Sequence, residues 1–153
     1  MSIVTQQLFA LIEEVCQGNL ESVKLLTTNS AIIHTEGEYV LRLATKYGHL
    51  EILKYFVDKG ADIHVFNDEA VQIAAGKGHL NIVEYLVSVG ANIHAVNDHA
   101  LQLASEEGHL DVVKYLVSEG ADIHANDDDA VKMASYNGHL DVVNYLVSIG
   151  ARM

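Results

Sequence analysis

Ala104-Ser105-Glu106-Glu107-Gly108-His109-Leu110-Asp111-Val112-Val113-Lys114-Tyr115-Leu116-Val117-Ser118-Glu119-Gly120-Ala121-Asp122-Ile123-His124 reads as the end of one helix, a turn, a second helix and a loop. Gly108 breaks the first helix. Leu110, Val112, Val113, Leu116 and Val117 recur close to the helical period, which predicts a helix over about 110–119 with one apolar face. Asp111 lies in its first turn, where the helix dipole favours an acid, and Gly120 stands where glycine commonly ends a helix. Upstream, Ala100, Leu101, Leu103 and Ala104 form the apolar stripe of the first helix, and Asp98 is placed as its N-cap.

The pattern repeats. Gly-His-Leu occurs at Gly48, Gly78, Gly108 and Gly138, 30 residues apart each time. Gly-Ala-Asp/Asn-Ile-His follows on the same period at Gly60–His64, Gly90–His94 and Gly120–His124, with a last copy cut short at Gly150-Ala151. A degenerate early copy reads Gly18-Asn19-Leu20 and then Ser30-Ala31-Ile32-Ile33-His34. Residues 1–153 therefore divide into about five units, near 6–35, 36–65, 66–95, 96–125 and 126–153. One such unit buries too little apolar surface to offset the entropy of ordering it, so its neighbours must complete its core, which is the logic of an all-α solenoid.

The motif Ala-Ser-x-x-Gly-His-Leu-Asp-Val-Val-x-Tyr-Leu-Val-Ser-x-Gly-Ala-Asp-Ile-His resembles the ankyrin repeat over nearly the whole chain. The usual Thr-Pro-Leu-His opening is replaced by Glu69-Ala70-Val71-Gln72, His99-Ala100-Leu101-Gln102 and Asp129-Ala130-Val131-Lys132. The period is also three residues shorter than that family's usual 33. The missing residues fall where the family's β-hairpin projects, so the resemblance implies a stunted finger or a tight loop. This short form, with Asn-Asp-x-Ala before the first helix, is similar to ankyrin proteins encoded by giant DNA viruses. The family resemblance implies a non-catalytic module that binds a protein or peptide in a concave groove lined by the first helices and the loops.

The two ends differ from the middle. Leu8, Leu11, Ile12 and Val15 recur at i, i+3, i+4 and i+7, and Glu13 and Glu14 replace later apolar columns, which describes a cap with a polar outer side. The last helix keeps the internal pattern, so Val142, Val143, Leu146 and Val147 are expected to leave apolar surface open. The alternative function, a structural or self-associating unit, rests on that end; the chain is expected to be a monomer or to associate weakly end to end.

Composition excludes several classes. Half of the 153 residues are hydrophobic, which argues against disorder, and the formal charge of −12 makes nucleic acid and anionic membranes poor partners. No leader-like start and no long apolar run are present, and Cys16, the single cysteine, suits a reducing compartment. The expected location is intracellular, in the cytoplasm, or the host-cell cytoplasm for a viral protein.

Sites for chemistry are weak. Eight of nine histidines fall in two ladders, 34/64/94/124 and 49/79/109/139. Two ligands of one zinc need their nitrogens within ~3.5 Å, whereas stacked helices lie about 8–10 Å apart, so these read as loop imidazoles bonded to backbone and no metal is expected. Gly76-Lys77-Gly78-His79-Leu80-Asn81 echoes a dinucleotide loop but lacks the third glycine and a preceding strand. Ser, His and Asp recur as repeat columns rather than as one convergent site, so no enzyme, no catalytic residue and no cofactor is expected. Cys16 reads as a packing filler, and Tyr55, Tyr85, Tyr115 and Tyr145 as a packing ladder.

Columns that stay constant serve stacking. Columns that vary are either merely solvated or carry recognition. They are Tyr39/Glu69/His99/Asp129, Arg42/Gln72/Gln102/Lys132, Lys46/Gly76/Glu106/Tyr136, Tyr47/Lys77/Glu107/Asn137 and, in the loop, Phe66/Val96/Asn126. The candidate partner-binding set drawn from them is Tyr39, Arg42, Lys46, Tyr47, Phe66, Glu69, Lys77, Val96, His99, Glu106, Glu107, Asp129 and Tyr136. Its early half is aromatic and basic, with Arg42 and Lys77 flanking Tyr39, Tyr47 and Phe66 and able to pair with a partner's acids. The later half is acidic, with Glu106, Glu107, Asp127, Asp128 and Asp129.

Overall fold

The computed structural model describes the backbone of residues 3–28 and 31–153, with side chains from residue 6 to 28 and from 36 onward. Among the described residues there are ten helices and no strand: α1 (Ile3–Gln17), α2 (Leu20–Leu26), α3 (Ala31–Tyr47), α4 (Leu50–Asp58), α5 (Val65–Gly76), α6 (Leu80–Ser88), α7 (Ala95–Glu106), α8 (Leu110–Ser118), α9 (Ala125–Tyr136) and α10 (Leu140–Ser148). They form five antiparallel pairs stacked side by side, an all-α helix-turn-helix solenoid.

Sequence dictates the turn within each pair. Gly78 has φ +70°, a left-handed conformation that glycine adopts without steric cost. A Cβ there would come 2.6 Å from His109 Nδ1 of the next pair, so the site also needs the missing side chain. His49 and His79 each donate Nε2–H back to a carbonyl of the preceding pair, Cys16 at 3.0 Å and Lys46 at 3.2 Å. Glycine and histidine thus work as one joint, which explains why they recur together.

The first helices pack in one row and the second helices in another. Small buried residues, Ala44, Ala70, Ala74, Ala75, Ala100, Ala104, Ala130 and Ala134, let the first helices approach closely. The second helices meet through Leu, Ile, Val and half-buried tyrosines and lie further apart. The array therefore curves with the first-helix row inside. Burial raises the phenol pKa of Tyr85, helped by Asp58, and that of Tyr115, helped by Glu119 and Glu84, so both ring hydroxyls stay neutral.

The tight loops are the unusual element. The second to fourth residues of α5, α7 and α9 are three successive non-glycine residues in left-handed geometry: Phe66-Asn67-Asp68, Val96-Asn97-Asp98 and Asn126-Asp127-Asp128, with φ between 52° and 64°. Right-handed helix starts only at Glu69, His99 and Asp129. Each left-handed residue costs on the order of 1–2 kcal/mol, and Asn and Asp bear it better than Phe or Val. Side chains fix the turn in place. Gln72 and Gln102 donate Nε2–H to the carbonyls of Asn67 and Asn97, each at 2.7 Å, and the Lys132 ammonium bonds the carbonyl of Asp127. This column varies in sequence, yet it serves the fold: Gln72 and Gln102 are buried.

The third residue of each turn ties successive pairs together. Asp98 does not cap its own helix, as its place in the sequence suggests. Its carboxylate is buried, and Oδ1 accepts from His94 Nδ1 at 2.9 Å and from the backbone amide of Asp122, 24 residues on, at 3.1 Å. Asp68 bonds His64 and the Asn92 amide at 2.8 and 2.9 Å, and Asp128 bonds His124 and the Arg152 amide at 2.7 and 3.0 Å. The loop histidines 64, 94 and 124 are therefore bonded to carboxylates rather than to backbone carbonyls. A buried carboxylate needs such donors, and the imidazole is the one within reach. His34 falls inside α3, and its side chain is outside the described residues.

The ends also depart from expectation. In α1, Leu11 and Val15 are buried and Glu13 is exposed, consistent with a capping helix. At the other end Val142 and Leu146 are fully buried rather than open, because α10 turns them onto α8 and α9. The exposed apolar residues are Leu140, at 69%, with Val147, Ile149 and Met153.

Acid should weaken the last of these ties. The Arg152 amide is the main cause that lowers the pKa of Asp128 from 3.8; burial opposes it, and the hydrogen bond to His124 with the charges of His124 and Arg152 adds to it. A carboxyl whose folded pKa is depressed contributes stability that is fully present above its unfolded value and is lost as pH falls through the folded one. As pH falls below about 4, the melting temperature of the wild type should therefore fall further than that of Asp128→Asn. Parallel melting curves for the two proteins would contradict this.

Candidate functional site

The inner row of helices carries the candidate residues. Tyr39, Arg42, Lys46 and Tyr47 stand on α3, Phe66 and Glu69 on α5, Val96, His99 and Glu106 on α7, and Asp129 and Tyr136 on α9. Lys77 and Glu107 are the residues that end α5 and α7. Tyr39 and Tyr47 are almost half exposed, Phe66 is 67% exposed and Tyr136 90%. Val96 is exposed as well. None of these rings is used by the core, and Phe66 and Val96 hold a backbone geometry that bulky residues rarely adopt.

Two clusters form among them. In the first, Arg42 Nε pairs with Glu69 Oε2 at 2.7 Å, and its guanidinium lies over the Phe66 ring, 5.2 Å from the centroid. Arg42 thus already has an acid of its own chain as a partner. The second surrounds a cleft of about 250 Å³ lined by Lys46, Gln72, Ile73, Gly76, Lys77, Leu103 and Glu107. The Lys46 ammonium sits 5.7 Å from the Tyr47 ring centroid, which connects Tyr47 to this second cluster.

The remaining candidates stand apart from both clusters. His99 Nδ1 lies 3.5 Å from Gln102 Oε1, and Tyr39, Val96, Glu106, Asp129 and Tyr136 share the row without joining either group. Asp128, counted with the acidic half of the surface, is buried in the inter-pair bond instead.

Ile73 and Leu103 are the members that sequence reasoning missed. Leu103 belongs to the same apolar stripe as Leu101, yet Leu101 is fully buried and Leu103 only half so. The signal was present: two residues along a helix is about 200° of rotation, which places Leu103 nearly opposite Leu101. Leu43, Ile73, Leu103 and Met133 form one half-buried apolar column on the inner row. Gly76 matters for what it lacks: the same column holds Lys46, Glu106 and Tyr136, and the missing side chain leaves the cleft open between Ile73 and Leu103.

A larger cleft of about 350 Å³ lies among Gly18, Leu20, His49, Leu50, Glu51, Ile52 and Asn81, at the starts of the second helices. Its walls come mainly from the recurring Gly-His-Leu joint, whose side chains are already committed to stacking. Among the described residues, no three His, Cys, Asp or Glu side chains converge as a metal site, and no helix is long and apolar enough to cross a membrane.

Comparison with known proteins gives one family. A family model described as ankyrin repeats (3 copies) matches residues 8–97, 59–127 and 94–153. No curated protein matches the chain significantly.

Proposed function

Since the chain belongs to the ankyrin repeat family, whose members are generally protein–protein interaction modules and typically not catalysts, we propose that it binds a protein or peptide along the inner row of helices. The observation that carries this reading is the group of exposed rings, Tyr39, Tyr47 and Phe66, set beside the half-buried column of Leu43, Ile73, Leu103 and Met133. Large rings that the core does not need, next to apolar surface, are the make-up of binding hot spots. Phe66 adds a second reason, because its left-handed backbone costs stability and its ring gains little by way of burial.

The test is selection of binding peptides from a displayed library, followed by titration against variants. Phe66→Ala and Tyr47→Ala are each expected to weaken binding by ~1–3 kcal/mol while thermal melts stay close to wild type. Selected peptides that bind both variants undiminished would remove the inner row as the site, and would turn attention to the outer face carrying Lys54, Glu84 and Lys114.

Self-association is a second reading, favoured by the exposure of Leu140, Val147, Ile149 and Met153 at one end of the stack. Sedimentation across a concentration series separates it from the first: a mass that rises with concentration, and falls back in Leu140→Glu, would support it.

A further inference from the structure

The cleft beside Gly76 indicates what kind of segment it receives. Its floor is apolar, from Ile73 and Leu103, and its volume of about 250 Å³ lies below the ~300–1,000 Å³ of small-molecule sites. It suits one side chain rather than a metabolite. Its rim is charged unevenly: Lys46 and Lys77 come from α3 and the end of α5, and Glu107 from the end of α7.

Lys77 is distinctive among the basic residues. Among the described residues, Lys24, Arg42, Lys54 and Arg152 are in ion pairs, Lys46, Lys59 and Lys114 lie over tyrosine rings, and Lys132 bonds a carbonyl. Lys77 has none of these partners and is exposed. In a chain of net charge −12 with 21 acidic residues, an unpaired cation on the rim of an apolar cleft stands out.

Resting on the binding reading above, we infer that the partner segment inserts one apolar side chain between Ile73 and Leu103 and places an acidic residue beside it, over Lys77. Glu107, at the end of α7, repels that acid and so sets the direction in which the segment lies. The neighbouring Lys46 reinforces the attraction while it rests on Tyr47.

The experiment is selection of peptides from a fully randomised displayed library on the wild-type chain, then titration of the enriched peptides. The expected consensus is an apolar residue adjacent to Asp or Glu. Gly76→Gln, which fills the cleft with a good helix former, should weaken those peptides roughly tenfold, the scale of one hot-spot contact. Lys77→Glu, at an exposed position, should weaken acidic peptides by a similar factor and, when used as the bait itself, enrich basic ones. Thermal melts confirm that both variants fold. Absence of the apolar–acidic pair, or undiminished binding by both variants, overturns the inference. If Phe66→Ala and Tyr47→Ala still weaken those same peptides, the inner row stands and only this cleft is lost. If those two variants are also without effect, the groove itself is lost.

Discussion

Asp98→Ala is expected to destabilise the protein by roughly 3–5 kcal/mol, because two charge-assisted hydrogen bonds worth about 1.5–3 kcal/mol each are lost together. The carboxylate is buried and serves both His94 on its own turn and the amide of Asp122 on the next. Removing it leaves the Asp122 amide without its acceptor. It also leaves the strained Val96-Asn97-Asp98 turn held by the Gln102 bond to the Asn97 carbonyl. Asp98→Asn keeps an acceptor oxygen and loses the charge, so its cost should be smaller, about 1–2 kcal/mol. Chemical denaturation gives the totals. Hydrogen exchange gives the location: the Asp122 amide should lose protection in Asp98→Ala well before amides in α5 and α6 do. Equal stability of Asp98→Ala and wild type would show that the carboxylate is not the tie between these helix pairs.

Phe56→Ala should cost about 3–5 kcal/mol through the cavity it leaves. Phe56 is fully buried in α4 and is the largest of the fully buried side chains. The matching positions in the later pairs are Leu86, Leu116 and Leu146, also fully buried. Phe56→Leu therefore imports the residue that the fold uses elsewhere, and should cost less than about 1.5 kcal/mol. Neighbouring pairs support one another in a solenoid, so the damage in Phe56→Ala should spread first to α3 and α4 and leave α9 and α10 folded longer. A cost in Phe56→Ala no larger than that of Phe56→Leu would mean that the site collapses around the smaller residue.

Much of this architecture could be read from residue periodicity. The Gly-His-Leu joint, the apolar stripe of 110–117 and the amphipathic helix at the start all carry local signals, and each maps to a turn or a helix of the structure. What could not be read was where polar side chains find partners across pairs. Asp98 precedes a helix, as an N-cap does, and only the left-handed turn aims its carboxylate at a backbone amide 24 residues away. The column of Gln72 and Gln102 varies in sequence as recognition columns do, yet it supports that same turn. The binding surface was half legible. Exposed rings such as Phe66 announce themselves by having no role in the periodic pattern. Leu103 hides because an apolar residue in a constant column looks like core until the helix is rotated around it.

The bond that joins one pair to the next accepts a main-chain amide, and this has an evolutionary consequence. Asn92, Asp122 and Arg152 all occupy the receiving position, and all donate through the main-chain N–H, although the Arg152 guanidinium adds an ion pair to the same carboxylate at 3.4 Å. Only proline, which lacks the N–H, is barred from that position, and the chain contains no proline at all. The coupling is thus indifferent to the identity of the neighbour. Thirty-residue cassettes that keep the constant packing columns can be duplicated, deleted or shuffled without matching new side chains at this bond, so arrays of this type can change length and rewrite their inner surface while the spine that holds them stays the same.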